Sequence, residues 1–388
     1  MKYVILRCED QAPYSEQTAT LLAGAKTTHL QLLAQAGAAG AIRFRSDPPA
    51  IERMRCHRAL FGLGPLDLEG LPGRCYAAGA NLQLEEGETA WCCELVTQRD
   101  GQIVDDTAGR ISPKESHILI QALDEALGSD TRRWDTGQGR HHVLITRDAA
   151  LGSVGETTLD PPELLLGQPW KRRLPKGETG KALAALTDQA AIILDSHPVN
   201  RVRVDLGENP ANMVWLWGPA TAGAQRSFSE RTGLSGAVVS NSFLLQGFAR
   251  ACSLGWKEGP ASMEEAALRR LMNTVAHAVE GHDFVYVHLS IESSDPVQRL
   301  CAMDRIDQLL LKPLTETLPS LGRWRLLAAV DDRASGLVPF VAVGTDLPQQ
   351  AASSLTAEQI GASPLHFPNG EGIFAWLVQP DEGSRVKG

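Results

Sequence analysis

Several short signatures of enzyme chemistry are absent from this sequence. It contains no G-x-G-x-x-G or Walker A loop, so nucleotide binding by those routes is unsupported. The zinc-protease motif H-E-x-x-H and the serine-hydrolase elbow G-x-S-x-G are missing as well. The cysteines number seven, an odd count, and form no C-x-x-C pair, which favours neither a zinc ribbon nor a disulfide framework. The function must therefore be argued from other features of the chain.

Positive charge is also scarce. The 388 residues include 37 Lys and Arg against 46 Asp and Glu, a formal net charge of −9. A chain this acidic is repelled by nucleic acid and by anionic membranes, so we expect neither as a partner. No apolar run approaches the roughly 18 residues of a spanning helix, and Tyr3–Leu6 is too short for a signal peptide. We therefore expect a cytoplasmic protein.

Short apolar segments typical of buried strands alternate with amphipathic helical segments over most of the chain. We predict strands at 3–6, 213–217, 237–240, 284–291, 325–330 and 338–343, and helices at 57–62, 179–194, 244–252, 265–280 and 296–311. This rhythm is typical of a doubly wound, parallel α/β sheet. Residues 76–175 differ, with weaker strand patterns and a Pro- and Gly-rich exit. We predict a core domain from 1–75 and 176–388, and an inserted α+β domain at 76–175.

Carboxylates follow two of the predicted strands. Glu9 follows the first strand, and Asp331 and Asp332 follow the strand at 325–330. Ligands of open parallel sheets bind beyond the carboxyl ends of the strands, where three carboxylates could share one hard cation. The alternative is that these are solvated turn residues, and Asp295 before Pro296 is better explained as a helix cap. One loosely bound Mg²⁺ or Mn²⁺ ion is the metal site that this pattern allows.

A second polar segment gathers side chains suited to an anion. His197, Asn200, Arg201 and Arg203 lie within one short stretch of sequence. Guanidinium groups bind phosphate or carboxylate through two parallel hydrogen bonds, so we predict that these four residues bind a small phosphorylated or carboxylate ligand. A solvated basic loop is the alternative.

Longer blocks of sequence carry a family resemblance. They are DSHPVN (195–200), GENPANMVWLWG (207–218), SFSERTGLSGAVVS (227–240), CELVT (93–97), GQIVD (101–105) and LFGLGP (60–65). Together they resemble the archaeal-type cofactor-independent phosphoglycerate mutases of the alkaline phosphatase superfamily, colinearly over nearly the whole chain. The resemblance implies an alkaline-phosphatase-like α/β core sheet with an inserted domain. It also implies two divalent metals that activate a serine, which carries the phosphoryl group between the 3- and 2-positions of glycerate.

The chain departs from the family pattern where that chemistry lies. Glu9 stands in place of a metal-binding Asp, and Arg53 stands in place of the nucleophilic Ser, while His57 keeps register. No serine occurs between residues 48 and 65 to replace it. The family's Asp-x-x-x-His pair falls on Ser293 and Val297. A guanidinium stays protonated and is not nucleophilic, so Arg53 cannot form a phosphoenzyme.

The metal ligands implied by the family are mostly replaced. Asp331 is the one clear retention, and Asp332 stands in place of a His. Two metals need about eight donor groups, more than Glu9, Asp331 and Asp332 supply. We therefore expect no metal, or at most one Mg²⁺ or Mn²⁺ ion, and we expect the charge of Arg53 to replace a cation. The expected protein is a pseudoenzyme.

Three functions follow from these departures. The leading hypothesis is a divergent, non-catalytic homologue that binds an anion or regulates. The second is an active mutase-like isomerase, related to glycolysis, or another phospho-ester enzyme with an unorthodox one-metal site. The third is a structural partner of an intact paralogue. The sequence leaves open a homo-oligomer as well as such pairing.

Overall fold

The chain folds into two compact units, described here from a computed structural model. The structure describes residues 1–10, 21–43, 53–63, 71–151, 159–223, 226–293, 295–331 and 336–379, with the backbone alone at 53–55 and 71. Unit 1 comprises Met1–Gly64, Ser227–Asn241 and Ser253–Gly388, and unit 2 comprises Pro65–Arg226 and Ser242–Cys252. Within the described ranges, no helix has the length and apolar character to cross a membrane.

The strands and helices alternate along the chain. The strands are β1 (Lys2–Asp10), β2 (Ala38–Arg43), β3 (Thr89–Arg99), β4 (Gln102–Asp105), β5 (Arg132–Gln138), β6 (His141–Thr146), β7 (Met213–Thr221), β8 (Gly236–Ser240), β9 (Gly255–Glu258), β10 (Phe284–Ile291), β11 (Trp324–Val330), β12 (Leu337–Gly344) and β13 (His366–Pro368). The α-helices are α1 (Leu21–Gly24), α2 (Thr28–Ala36), α3 (Arg53–Leu60), α4 (Leu71–Gly79), α5 (Pro113–Leu127), α6 (Glu178–Ser196), α7 (Pro198–Asp205), α8 (Phe228–Thr232), α9 (Phe243–Ala251), α10 (Glu265–Gly281), α11 (Pro296–Ile306), α12 (Lys312–Thr317), α13 (Ala357–Gly361) and α14 (Ile373–Val378).

Unit 1 is built on a mixed sheet of eight strands in the order β13-β2-β12-β11-β1-β10-β8-β9. Strand β1 pairs in parallel with β10 and β11, and β10 pairs in parallel with β8. The predicted α/β core sheet is confirmed, but β12 runs antiparallel to both β11 and β2. Residues 331–336 join β11 to β12, and so short a connection cannot make the crossover that parallel neighbours need.

Strand β1 sends alternate side chains to opposite faces of this sheet. Val4, Leu6 and Cys8 pack in the large apolar cluster of unit 1. Successive side chains of a strand point to opposite faces, so Arg7 and Glu9 share the other face. Both are buried. Two buried charged groups need partners, so polar side chains are expected near Arg7 and Glu9 at the carboxyl end of β1.

Unit 2 contains an antiparallel sheet in which β3 pairs with β4, β6 and β7, and β6 pairs with β5. The unit extends beyond 76–175, the range predicted for the inserted domain. It includes α6, α7 and β7, because β7 pairs with β3 from Thr89 to Val96. It also includes α9, whose Gly247 lies directly against the backbone carbonyl of Cys75 in α4.

Candidate functional site in unit 1

Neighbouring parallel strands bring four polar side chains to one face of the unit 1 sheet. Arg7 lies opposite His288 in the register of β1 and β10, and Glu9 lies opposite Ser290. Tyr286 stands two residues before His288 on the same face of β10. All four of Arg7, Glu9, Tyr286 and His288 are buried. The carboxyl ends of parallel strands are where α/β sheets bind ligands, so this is the candidate site.

Helix α3 adds His57 to this group. The Nε2 atom of His288 lies 2.8 Å from Oε2 of Glu9, and Nε2 of His57 lies 3.9 Å from the same oxygen. One ligand atom from each of the three residues lies within 4.8 Å of the others. The side chains are only 3% (Glu9), 5% (His57) and 3% (His288) exposed. Two imidazoles and a carboxylate at this spacing could hold a metal ion.

Arg7 forms a two-pronged ion pair with Asp331, which follows β11. Its Nε donates to Oδ1 at 3.3 Å and its Nη2 donates to Oδ2 at 3.1 Å. Burial alone would lower the pKa of Arg7, but the charge of Asp331 offsets this, and the net shift of the Arg7 pKa is upward. Burial raises the pKa of Asp331, and the charge of Arg7 offsets it only in part. The guanidinium is thus a permanent cation inside the site.

The same guanidinium contacts the metal-binding candidates. Nη1 of Arg7 lies 3.0 Å from Nδ1 and 3.2 Å from Nε2 of His57. Nη2 lies 3.7 Å from Oε2 of Glu9. Arg7 therefore contacts two of the three carboxylates predicted from the sequence, Glu9 and Asp331. It neutralises one of their two negative charges.

The remaining acidic and basic positions predicted near this site have other surroundings. Asp10 is buried and pairs with Arg299 of α11. Asp295 caps α11 by accepting a hydrogen bond from the Val297 N–H, as the sequence indicated. Asp332 lies outside the described residues. Arg53 begins α3, but its side chain also lies outside the described part of the chain, so its replacement of a cation stays a prediction.

The predicted anion-binding segment lies in unit 2, and its buried amide has an internal role. Asn200 donates from its side-chain nitrogen to the carbonyls of Leu194 and Ala211 and accepts from the Ala211 N–H. The ring of His197 caps α7 by accepting from the Val199 N–H at 3.2 Å. Asn200 thus holds the segment after α7 against the end of α6.

The two arginines of the segment differ in exposure. Arg201 is exposed, whereas Arg203 is buried. Nη1 of Arg203 donates to Glu115 at 3.1 Å, and its Nη2 donates to the carbonyls of Ala108 and Gly109, each at 3.0 Å. Its Nε donates to the Asn209 carbonyl. These bonds tie α7 to two loops, and the assignment of Arg203 to a ligand stays a prediction.

Sequence inspection missed His288 and Arg7, and it gave His57 no role. Only residues after the strands were considered as candidates, whereas Arg7 and His288 lie within β1 and β10. The sequence did contain a signal for Arg7 and His288, namely polar residues within apolar strands. Polar residues at Arg7, Glu9 and His288 interrupt strands that are otherwise apolar, and a buried strand tolerates such residues only where they find partners.

Comparison with known proteins places this geometry in context. A family model for 2,3-bisphosphoglycerate-independent phosphoglycerate mutase matches residues 34–200. A probable enzyme of that name from Geobacter sulfurreducens is 28% identical over 349 residues, covering 85% of this chain and 86% of the relative. The enzyme from Methanosarcina mazei is 27% identical over 372 residues, covering 90% and 92% of the two chains.

Solved structures agree on the fold. The cofactor-independent phosphoglycerate mutase from Thermoplasma acidophilum matches with a TM-score of 0.57 and 23% identity, over 98% of this chain and 99% of that one. The PH0037 protein from Pyrococcus horikoshii matches with a TM-score of 0.67 and 17% identity, over 98% of each chain. The chain is similar over most of its length to the cofactor-independent phosphoglycerate mutases, and it shares the fold of their solved member.

The two-metal centre that the family implies does not fit the donors described in this mutase homologue. Asp331, which the resemblance matches to a metal ligand, has both carboxylate oxygens bonded to Arg7. Glu9 faces the same guanidinium and the imidazole of His288. A dication bound to Asp331 would have to displace Arg7 and leave a buried positive charge unpaired, which is costly.

Proposed function

We propose that this mutase homologue has lost two-metal phosphoryl transfer and acts as a non-catalytic binding or regulatory protein. The observation that carries the proposal is the buried pair of Arg7 and Asp331. A two-metal enzyme needs that carboxylate to hold a Lewis-acidic ion. Paired with a guanidinium, Asp331 is neutralised by a group that cannot coordinate a substrate oxygen or activate a hydroxyl.

The expected ligand follows from the family relationship. The curated relatives are named as phosphoglycerate mutases, so a phosphorylated or carboxylate small molecule is the first candidate. Arg201 is exposed and remains available to such an anion, whereas Asn200 and Arg203 make the internal hydrogen bonds described above. An anion site would therefore use fewer of the predicted residues than the sequence suggested.

Turnover and binding of 3-phosphoglycerate test the proposal together. The purified chain is assayed for 2-phosphoglycerate by phosphorus NMR with Mn²⁺, Mg²⁺, Zn²⁺ or Co²⁺ added in turn. The relative from Methanosarcina mazei, at equal concentration, is the positive control. We expect no turnover by the homologue above the protein-free rate, and binding of 3-phosphoglycerate by calorimetry that weakens in Arg201→Gln. Metal-dependent turnover that scales with enzyme concentration would overturn the proposal.

A one-metal phospho-ester enzyme is the second candidate. The cluster of Glu9, His57 and His288 favours it, because these donors converge without Asp331. Under this alternative, turnover would require a single added metal ion and would be lost in His288→Gln. Arg269→Gln, which changes an exposed charge of unit 1, should leave the metal requirement unchanged.

A further inference from the structure

Both imidazoles of the unit 1 cluster are held from behind by hydroxyl groups. The Oγ atom of Ser240 lies 3.0 Å from Nδ1 of His288, and the Oη atom of Tyr286 lies 2.8 Å from Nδ1 of His57. At 2.8 Å from Oε2 of Glu9, Nε2 of His288 shares a proton with the carboxylate. A metal ion would replace that proton, and each ring, with its remaining proton on Nδ1, would then donate to its hydroxyl group. Metal-binding histidines are oriented in this way, with the second nitrogen bonded to an outer partner.

The spacing of the three ligand atoms suits a small, low-coordinate ion. Zinc bonds to imidazole nitrogen and carboxylate oxygen at about 2.0–2.2 Å, which separates tetrahedral ligand atoms by about 3.3–3.6 Å. The Nε2 atoms of His288 and His57 lie 2.8 Å and 3.9 Å from the Glu9 oxygen, on either side of that value. Shifts of about half an ångström would bring these two separations to the tetrahedral value.

We infer that Glu9, His57 and His288 bind one divalent transition-metal ion of the class that prefers imidazole, with Zn²⁺ ahead of Mg²⁺. Two nitrogen ligands and one oxygen favour zinc, iron or cobalt, whereas Mg²⁺ prefers an octahedron of oxygens. The site uses neither Asp331 nor a serine nucleophile. It goes beyond the proposed function, because the ion can bind whether or not the chain turns over phosphoglycerate.

Arg7 competes with this ion for the Nε2 atom of His57. Its Nη1 lies 3.2 Å from Nε2 of His57, the nitrogen that must bind the metal. Binding therefore requires the His57 ring to shift away from Nη1, because the bonds of Nε and Nη2 to Asp331 hold the planar guanidinium in place. With neutral imidazoles, Glu9, Asp331 and Arg7 together carry one net negative charge, so a dication is not excluded by charge. Arg7 should lower metal affinity without abolishing it.

Metal titration of the full chain tests the inference. The protein is stripped with a chelator, dialysed, and titrated with Zn²⁺ against a chromophoric chelator, with elemental analysis to count bound ions. We expect one Zn²⁺ per chain, retained in excess Mg²⁺. The changes His57→Gln and His288→Gln should each weaken binding by at least about 100-fold, and Ser240→Ala by about 10–100-fold. Arg7→Met should strengthen it.

Two variants separate this site from surface binding and from a site built on Asp331. His197→Gln removes a partly exposed histidine of unit 2 and should leave Zn²⁺ affinity unchanged, which controls for adventitious surface binding. Asp331→Asn should weaken binding by less than about tenfold, because it alters only a nearby charge. Binding that survives the double change His57→Gln and His288→Gln, or that is abolished by Asp331→Asn, would overturn the inference.

X-ray absorption on Zn²⁺-loaded wild-type protein needs no variant to fold. We expect a first shell of nitrogen and oxygen with multiple scattering from two imidazoles. An all-oxygen shell, two bound ions, or no stoichiometric Zn²⁺ would refute the site. Any of these results would refute the metal site but would not affect the proposed loss of mutase activity. Turnover of phosphoglycerate would refute the proposed loss but would not affect the metal site.

Discussion

Replacing Arg7 by methionine should destabilise unit 1 severely. Arg7 is fully buried, and its two bonds to Asp331 form the central ion pair of the site. Removing one partner of a buried pair leaves the other charge without compensation and costs about 3–5 kcal/mol. Asp331→Asn should cost less, about 1–3 kcal/mol, because Glu9 still lies 3.7 Å from the guanidinium.

Combining Arg7→Met with Asp331→Asn in one variant measures the interaction between the two side chains. When Arg7 is replaced by methionine, the charged Asp331 is buried without its partner and destabilises the fold. Asp331→Asn should then cost little or even stabilise the chain. We expect the double variant to lose at least about 2 kcal/mol less than the two single changes combined. Urea unfolding followed by circular dichroism, with a chelator present, measures each free energy.

A surface pair of the same unit is the matched control. Arg269 bonds to Glu265 one helical turn away at 2.8 Å, and both side chains are 64% exposed. Arg269→Met removes an ion pair that is even shorter than the 3.1 Å pair of Arg7 and Asp331, but it should cost less than about 1 kcal/mol, because water screens it. Additivity of the Arg7 and Asp331 changes within about 0.5 kcal/mol would refute the claim that these groups compensate each other.

Two predictions concern unit 2. Arg203→Lys should lower the free energy of unfolding by about 2–4 kcal/mol, because one ammonium cannot replace the bonds to Glu115 and several carbonyls. If thermal stability is unchanged and 3-phosphoglycerate binding is lost, the result would instead support the assignment of Arg203 to the ligand. Burial lowers the pKa of His142 to about 3, so the unfolded chain takes up a proton below about pH 6.5 that the folded chain refuses. Between pH 7.5 and 5 the wild type should lose about 2 kcal/mol more stability than His142→Gln, and parallel pH profiles in urea titrations would contradict this.

Strand positions in unit 1 could be predicted well from sequence, but strand direction could not. The predicted strands at 284–291 and 325–330 agree closely with β10 and β11. Apolar runs of this kind indicate that a strand is buried on both faces, but they do not indicate whether it runs parallel or antiparallel to its neighbours. The reversed strand β12 was nevertheless detectable, because the short gap after 325–330 leaves no room for a crossover helix.

The division of the chain into units depended on pairings that the sequence does not encode locally. The segment 213–217 has the same apolar character as strands of the core sheet. It pairs with β3 rather than with any strand of unit 1, and α6, α7 and α9 belong to the same unit. Side-chain patterns specify which face of a strand is buried, but the choice of partner depends on contacts distant in sequence.

Site residues were predictable where they follow a strand and unpredictable where they lie inside one. Glu9 was identified because it stands near the end of β1, in the expected place for a ligand. His288 lies inside β10, and only the register with Arg7 places it near Glu9. The replacement of a cation was also expected, but at Arg53. The side chain of Arg53 lies outside the described residues, so that expectation stays a prediction. Among the described side chains, Arg7 contacts both Glu9 and Asp331, and it lies two residues before Glu9 on the same face of β1.

If metal-dependent chemistry is lost as proposed, the pairing of Arg7 with Asp331 gives a physical reason for the acidic residue to persist. A buried carboxylate that once faced dications becomes costly when they leave, unless a cation or a proton replaces them. A guanidinium supplies that charge permanently, with two hydrogen bonds whose geometry matches the carboxylate. It offers no open coordination position, so it cannot polarise a phosphoryl oxygen or lower the pKa of a hydroxyl as a metal does. Arg7 can therefore maintain the electrostatic balance and the packing of this face of the sheet in a chain that, as proposed, does not carry out the reaction.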